Sequence, residues 1–79
     1  MPMQHSRRSQ PGLGKAIRQL RERRELTQED LAEAAGVTVR TLSQLETGNA
    51  NPTWATVGDI ARALGVSIAE LAKRSEKDA

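Results

Sequence analysis

The chain has 79 residues, no cysteine and one histidine, and it carries a net charge of +2. This length allows a single small domain, and the lack of cysteine excludes a disulfide framework, a thiolate metal site and a cysteine nucleophile. No apolar run approaches the roughly 20 residues of a membrane span, and the first residues lack the apolar stretch of a signal peptide, so we expect a soluble cytoplasmic protein.

Positive charge is concentrated at the start of the chain. Residues 1–24 contain seven Lys or Arg and one acid, whereas residues 25–79 contain five Lys or Arg and nine acids. Residues 1–12 are polar, include two prolines and show no periodicity, so we expect a flexible basic arm. Arg7 and Arg8 on this arm could meet a polyanion, but a solvated, inert tail is the simpler expectation.

Apolar residues after this arm recur at intervals of three or four, which is the period of an amphipathic helix. Four residues can each cap a helix N-terminus with a side-chain oxygen: Thr27, Thr38, Thr53 and Ser67. Ser67 with Glu70 fits a reciprocal capping box, and Thr27 with Asp30 resembles one. Glycines follow the apolar periods at Gly36, Gly48 and Gly65, where they end helices easily. The sequence therefore predicts five short helices, over residues 13–24, 28–35, 39–46, 54–64 and 68–75.

The segment Ala35-Gly36-Val37-Thr38 interrupts what would otherwise be one longer helix. Gly36 allows a left-handed turn, Val37 returns to the core, and Thr38 caps a new helix at a steep angle to the first. Two helices joined by such a short glycine-containing turn form a helix-turn-helix, whose second helix can lie in a DNA major groove.

The predicted second helix of this motif, residues 39–46, has a polar outer face. Arg40 and Gln44 share that face and can make paired hydrogen bonds to guanine and adenine edges, while the methyl groups of Thr41 or Val39 could touch a thymine. A helical hairpin with a hydrated outer face is the competing interpretation. The hairpin interpretation explains less well why residues 39–44 contain no acid. A surface that faces phosphates requires this absence of carboxylates.

Several short motifs follow one another in a characteristic order between residues 13 and 72. Thr-Gln begins the first motif helix, Ala-Gly-Val forms the turn, Leu-x-x-Leu-Glu-x-Gly closes the second helix, and Ile-Ala-x-Ala-Leu-Gly-Val follows a proline. With these motifs the chain closely resembles the Cro/repressor-type helix-turn-helix proteins, also called the xenobiotic-response-element (XRE) family. The resemblance implies an all-α, compact five-helix lambda-repressor-like DNA-binding domain over residues 13–75, with residues 76–79 as a C-terminal tail.

Three groups of residues acquire roles through this resemblance. The positions that read bases or adjoining phosphates hold Thr38, Val39, Arg40, Thr41, Ser43 and Gln44. The positions that contact the DNA backbone hold Gln28, Thr47, Asn49 and Asn51. Arg21 and Glu46 match a structural ion pair that ties the recognition helix to the first helix.

Two residues depart from the family's pattern. Trp54, the only aromatic residue, stands where an aliphatic core residue is usual, so we expect it to pack in the core, with base stacking or an interface role as the lesser alternative. Gly58 lies inside a predicted helix, where glycine costs about 0.5–1 kcal/mol relative to alanine. Close packing against a neighbouring helix or subunit and simple tolerance both explain it.

The resemblance implies a sequence-specific transcriptional regulator, a repressor or controller, that acts as a homodimer on a palindromic operator in double-stranded DNA. Ile68, Leu71 and Ala72 are candidates for the dimer surface, although they could instead complete the core. The alternative is an antitoxin or adaptor that binds a protein partner, such as a toxin, and also binds DNA. We expect no catalytic residues, cofactor or metal site, because no nucleophile-base pair, metal cluster or phosphate loop appears.

Overall fold

A computed structural model describes residues 11–78, which form five α-helices. These are α1 (Pro11–Arg23), α2 (Gln28–Ala35), α3 (Val39–Glu46), α4 (Trp54–Leu64) and α5 (Ile68–Asp78). The prediction of an all-α five-helix fold is confirmed. α1 begins two residues earlier than the sequence predicts, because proline suits the first turn of a helix, and α5 continues to residue 78. The predicted arm, including Arg7 and Arg8, otherwise lies outside the described residues.

Side-chain caps start four of the five helices, as predicted. The hydroxyl groups of Thr27, Thr38, Thr53 and Ser67 each accept a hydrogen bond of 3.0–3.1 Å from the backbone N–H three residues later. At Thr27 the capping box is complete, because the Asp30 carboxylate accepts a hydrogen bond from the Thr27 N–H at 3.0 Å. The predicted box at Ser67 is half formed, since the Glu70 carboxylate accepts instead from Nε of Arg74 at 2.9 Å.

One hydrophobic core joins all five helices. α1 packs mainly against α5 and α3, while α2 packs mainly against α4. Twelve apolar residues among residues 11–78 are buried in this core. The largest fully buried side chains are those of Ile17, Leu31, Leu42, Ile60, Leu64 and Leu71. No helix among residues 11–78 is long and apolar enough to cross a membrane.

α1 lies unusually close to the end of α3, and Gly14 makes that approach feasible. A Cβ atom at this position would collide with the carbonyl oxygen of Leu45 and lie 2.8 Å from that of Glu46. Only glycine lets the two backbones come this near without displacement. The contact fixes the C-terminal end of α3 against α1, and no pattern in the sequence indicates it.

The turn that follows α1 contains a left-handed residue that is not glycine. Glu25 has a φ of 59°, and the backbone around it forms two closing hydrogen bonds: the Leu26 N–H donates to the Arg21 carbonyl at 3.1 Å, and the Glu25 N–H donates to that of Glu22 at 2.9 Å. This is the hydrogen-bond pattern that glycine usually completes at the end of a helix. It directs the chain from α1 into the start of α2.

Candidate nucleic-acid interface

The turn between α2 and α3 has the geometry that its sequence predicts. Gly36 is left-handed, with a φ of 74°, and its N–H closes the last turn of α2. The Val37 side chain is half-buried against the core, and its N–H donates to the Ala32 carbonyl at 2.9 Å. Thr38 then begins α3 with its side-chain cap. α2, this turn and α3 therefore form a helix-turn-helix.

α3 buries one face and presents the other. Leu42 and Leu45 belong to the core, whereas Arg40 and Gln44 are exposed. Neither the guanidinium of Arg40 nor the amide of Gln44 has a hydrogen-bond partner within residues 11–78. Both long side chains are therefore available for an external partner. Arg40 can only donate hydrogen bonds, whereas Gln44 can donate and accept them.

The other predicted base-reading residues surround this pair. Val39 and Thr38 are exposed, while Thr41 and Ser43 are half-buried. The Thr38 hydroxyl accepts from the Thr41 N–H and lies 3.0 Å from the Thr41 hydroxyl oxygen. Thr38 and Thr41 therefore order the first turn of α3 in addition to lining its outer face.

The segment after α3 is organised by its own polar side chains. The Thr47 hydroxyl donates to the carbonyl groups of Ser43 and Gln44 at 3.1 and 3.2 Å, and Nδ2 of Asn49 donates to the Thr47 oxygen at 3.2 Å. Gly48 is left-handed, with a φ of 78°. The structure thus places Thr47, Asn49 and Asn51, all exposed, in one loop beside the end of α3.

Arg21 and Glu46, the pair that the resemblance implies, join α1 to the last residue of α3. Nε and Nη2 of Arg21 donate to the two carboxylate oxygens of Glu46 at 2.7 and 3.0 Å, and Nη1 donates to the Leu26 carbonyl at 2.8 Å. The two side chains are 12% and 3% exposed. The hydrogen bonds to Glu46 raise the pKa of Arg21 above its ordinary value, so the guanidinium remains charged at neutral pH.

Gln28, the predicted phosphate contact on α2, is joined to the same carboxylate. Its Nε2 donates to Oε1 of Glu46 at 3.1 Å. Glu46 is the one buried charged residue in the described part of the chain, and its carboxylate connects α1, α2 and α3. Residue spacing gave no signal for this third contact, because Gln28 and Glu46 are 18 positions apart.

The three dimer candidates on α5 do not share one environment. Leu71 has no exposed surface and completes the core, which is the alternative that the sequence left open for it. α5 packs mainly on α1, and Leu71 lies on the inward side of that contact. Ile68 is 37% exposed and Ala72 is also exposed, so these two remain at the surface.

Trp54 is not a core residue, contrary to the expectation from sequence. Its side chain is 74% exposed, because it begins α4 and the buried residues of that helix start only at Ile60. It lines a surface groove with apolar walls, here called the apolar groove, whose lining residues are Leu13, Asn51, Pro52, Trp54, Val57, Ile68, Ala72, Ser75 and Glu76. A Cβ atom at Gly58 would make only an ordinary 3.4 Å contact with Ile68, which favours simple tolerance of that glycine.

The glycine turn between α2 and α3 and the exposed outer face of α3 assign the protein to the class of helix-turn-helix proteins. The sequence model of a family described as "Helix-turn-helix domain" matches residues 12–73. The chain is 42% identical over 59 residues to the uncharacterized HTH-type transcriptional regulator y4dJ of Sinorhizobium fredii, a match that covers 75% of this chain and 77% of that protein.

Two further relatives agree with this match. The chain is 43% identical over 60 residues to the transcriptional repressor RstR of the cryptic phage CTXphi of Vibrio cholerae, covering 76% of this chain and 54% of that protein. Its fold is similar to that of the clp gene regulator ClgR from C. glutamicum, with a TM-score of 0.81 and 31% identity over 86% of this chain and 88% of that one. The chain belongs to the helix-turn-helix family of DNA-binding transcriptional regulators, which are not enzymes.

Proposed function

We propose that this protein is a sequence-specific regulator, a repressor or controller, that inserts α3 into the major groove of an operator. The outer face of α3 carries the proposal, because Arg40 and Gln44 are exposed there without partners among the described residues, and the one acid of the helix, Glu46, is buried. Arginine pairs best with guanine and glutamine with adenine in the major groove. Such a regulator acts inside the cell, where its DNA target lies.

The residues on either side of α3 suit contacts to the DNA backbone. Gln28 begins α2, whose N-terminus carries positive partial charge, and Thr47, Asn49 and Asn51 lie in the loop that follows α3. Amide and hydroxyl groups donate readily to phosphate oxygens, and such contacts fix the register of a protein on the duplex without reading sequence. These four residues therefore orient α3, and the face from Thr38 to Gln44 reads the bases.

We further propose that the protein binds as a homodimer, with the apolar groove covered by a second copy. A largely exposed tryptophan beside Ile68 and Ala72 is an apolar surface of the kind that partners bury. α5 also carries both signs of charge next to the groove, at Lys73 and Glu76, which a two-fold axis could pair with each other. Two copies would then read half-sites about 34–36 Å apart, which explains why a palindromic operator is expected.

The same groove favours one competing function, which is that of an antitoxin or adaptor that buries Trp54 against a different protein. The two proposals predict different masses for the isolated protein in solution. A second copy on the groove gives a dimer by light scattering, whereas a groove reserved for another protein leaves a monomer.

The proposed function is tested by selecting bound fragments from random DNA and then titrating the recovered site against salt. We expect one palindromic sequence to be enriched. We also expect its affinity to exceed that for random DNA by at least about a thousandfold at physiological salt. Absence of enrichment, together with weak binding at every salt concentration, would contradict sequence-specific regulation.

A further inference from the structure

The carboxylate of Glu46 is fixed by Arg21 and in turn binds the side chain of Gln28. Arg21 donates to both of its oxygens, and Arg21 is itself fixed by its hydrogen bond to the Leu26 carbonyl. Oε1 of Glu46 accepts in addition from Nε2 of Gln28 at 3.1 Å. A buried carboxylate restrained by three donors from two elements cannot change its position without breaking several charge-assisted hydrogen bonds.

This arrangement determines which end of the Gln28 amide faces the carboxylate. An ionised carboxylate only accepts hydrogen bonds, so Gln28 must turn its NH₂ group, and not its carbonyl oxygen, toward Glu46. One Nε2 proton is used in this contact, while the second proton has no partner among residues 11–78. Gln28 is half-buried at the start of α2, so part of its surface still faces solvent.

The backbone beside Gln28 is arranged in the same way. The Asp30 N–H donates to the Thr27 hydroxyl, and the Thr27 N–H donates to the Asp30 carboxylate, so the capping box consumes these two donors. The N–H groups of Gln28 and Glu29 lie in the first helical turn, where no partner within the helix exists. The ordered side-chain proton of Gln28 therefore stands next to free backbone donors.

We propose that Glu46 is a positioning residue for DNA binding, because it fixes the side-chain amide of Gln28 as a donor to a backbone phosphate. The inference rests on the proposed function and deepens it. The same carboxylate also anchors the C-terminal end of α3 through Arg21. Gln28 on α2 and the recognition helix α3 thereby keep a fixed position relative to each other. A phosphate bound by Gln28 then sets the depth and angle of α3 in the DNA major groove.

The proposal is tested by a double-mutant cycle on DNA affinity with Gln28→Ala, Glu46→Gln and the double variant. If Glu46 positions Gln28, Gln28→Ala weakens binding about three- to tenfold in the wild-type background, which is the range of one hydrogen bond, on specific and random DNA alike. In the Glu46→Gln background the same change should weaken binding less than twofold. Equal losses in both backgrounds would overturn the positioning role while leaving operator binding intact. Absence of DNA binding by the wild-type protein would instead remove the proposed function.

A second measurement decides the proposal if Glu46→Gln does not fold. The order of side-chain amide groups in the wild-type protein can be measured by ¹⁵N relaxation, with the exposed Gln19 of α1 as an internal control. We expect the Nε2 group of Gln28 to be as rigid as the backbone of α2, and that of Gln19 to be mobile. Equal mobility of the two amides would overturn the proposal, because a freely rotating amide is not positioned by Glu46.

Discussion

The guanidinium of Arg21 lies against the carboxylate of Glu46 with two hydrogen bonds, of 2.7 and 3.0 Å, although the residues are 25 positions apart. The pair joins α1 to α3, and both side chains are almost completely removed from water. A buried ion pair gains little over apolar residues of the same size, but loss of one partner leaves a buried charge without compensation. The pair therefore makes the orientation of α3 dependent on α1.

Removal of the Arg21 side chain should destabilise the protein strongly. We expect Arg21→Ala to lower the free energy of unfolding by about 3–5 kcal/mol, because Glu46 would remain buried without a counter-ion. Urea denaturation measures the loss. Arg18→Ala is the matched control, since Arg18 forms an exposed ion pair with Glu22 and should cost no more than about 1 kcal/mol. Similar losses for the two variants would contradict the structural role of the buried pair.

Addition of one methyl group at Gly14 should be far more damaging than the same change at Gly58. Gly14→Ala would drive a Cβ atom into the backbone carbonyl of Leu45, and we expect a loss of at least about 2 kcal/mol from overpacking. Gly58→Ala meets only the end of the Ile68 side chain and should stabilise α4 by about 0.5–1 kcal/mol. Thermal unfolding of both variants checks the pair of predictions, and a tolerated Gly14→Ala would mean that α1 does not lie this close to α3.

Acid should remove the contribution of Asp30 to stability. The hydrogen bond from the backbone N–H of Thr27 is the main cause that lowers the pKa of Asp30 below its ordinary value of 3.8. Because the pKa is lower in the folded protein, the carboxylate stabilises the fold fully above about pH 4 and loses this effect as the pH falls through the folded value. Urea denaturation between pH 7 and pH 2 should show the wild-type protein losing its advantage over Asp30→Asn. A difference that does not vary with pH would contradict this account.

Charge placed in the apolar groove should disrupt the proposed homodimer. We expect Ile68→Glu to give a monomer by sedimentation, because burial of an unpaired carboxylate in an apolar interface is unfavourable. Ala69→Glu is the matched control, since Ala69 is an exposed neighbour on α5 outside the groove, and it should leave the dimer intact. If Ile68→Glu and the wild-type protein have the same mass, a second copy does not cover the groove.

The sequence predicted those features that local interactions determine. Thr27, Thr38 and Thr53 cap helices because each side chain reaches a backbone N–H only three positions away. The turn at Gly36 follows from a glycine placed after an apolar period. The period of the apolar residues also predicted the inward face of α3, because helical geometry alone decides which residues share a side.

Features that depend on contacts between distant parts of the chain could not be predicted from local sequence patterns. Gly14 resembles any helix glycine until α3 is placed against it, and the exposure of Trp54 depends on where the start of α4 lies relative to the other helices. Glu25 adopts a left-handed φ of 59° that the sequence did not signal, since glycine is the usual residue there. The contact between Gln28 and Glu46 likewise needs three helices in place before the two side chains meet.

Base reading by the outer face of α3 is the central claim, and Arg40 tests it most directly. The measurement is a binding selection from random DNA with the wild-type protein, Arg40→Ala and Arg62→Ala, where Arg62 is an exposed arginine on α4. We expect Arg40→Ala to lose its preference at one base pair in each half-site, at a cost of about 1–3 kcal/mol on the operator, while its affinity for random DNA changes little. Arg62→Ala should select the wild-type sequence. Selection of an unchanged operator by Arg40→Ala, with no loss of specific affinity, would contradict the claim that α3 reads the bases.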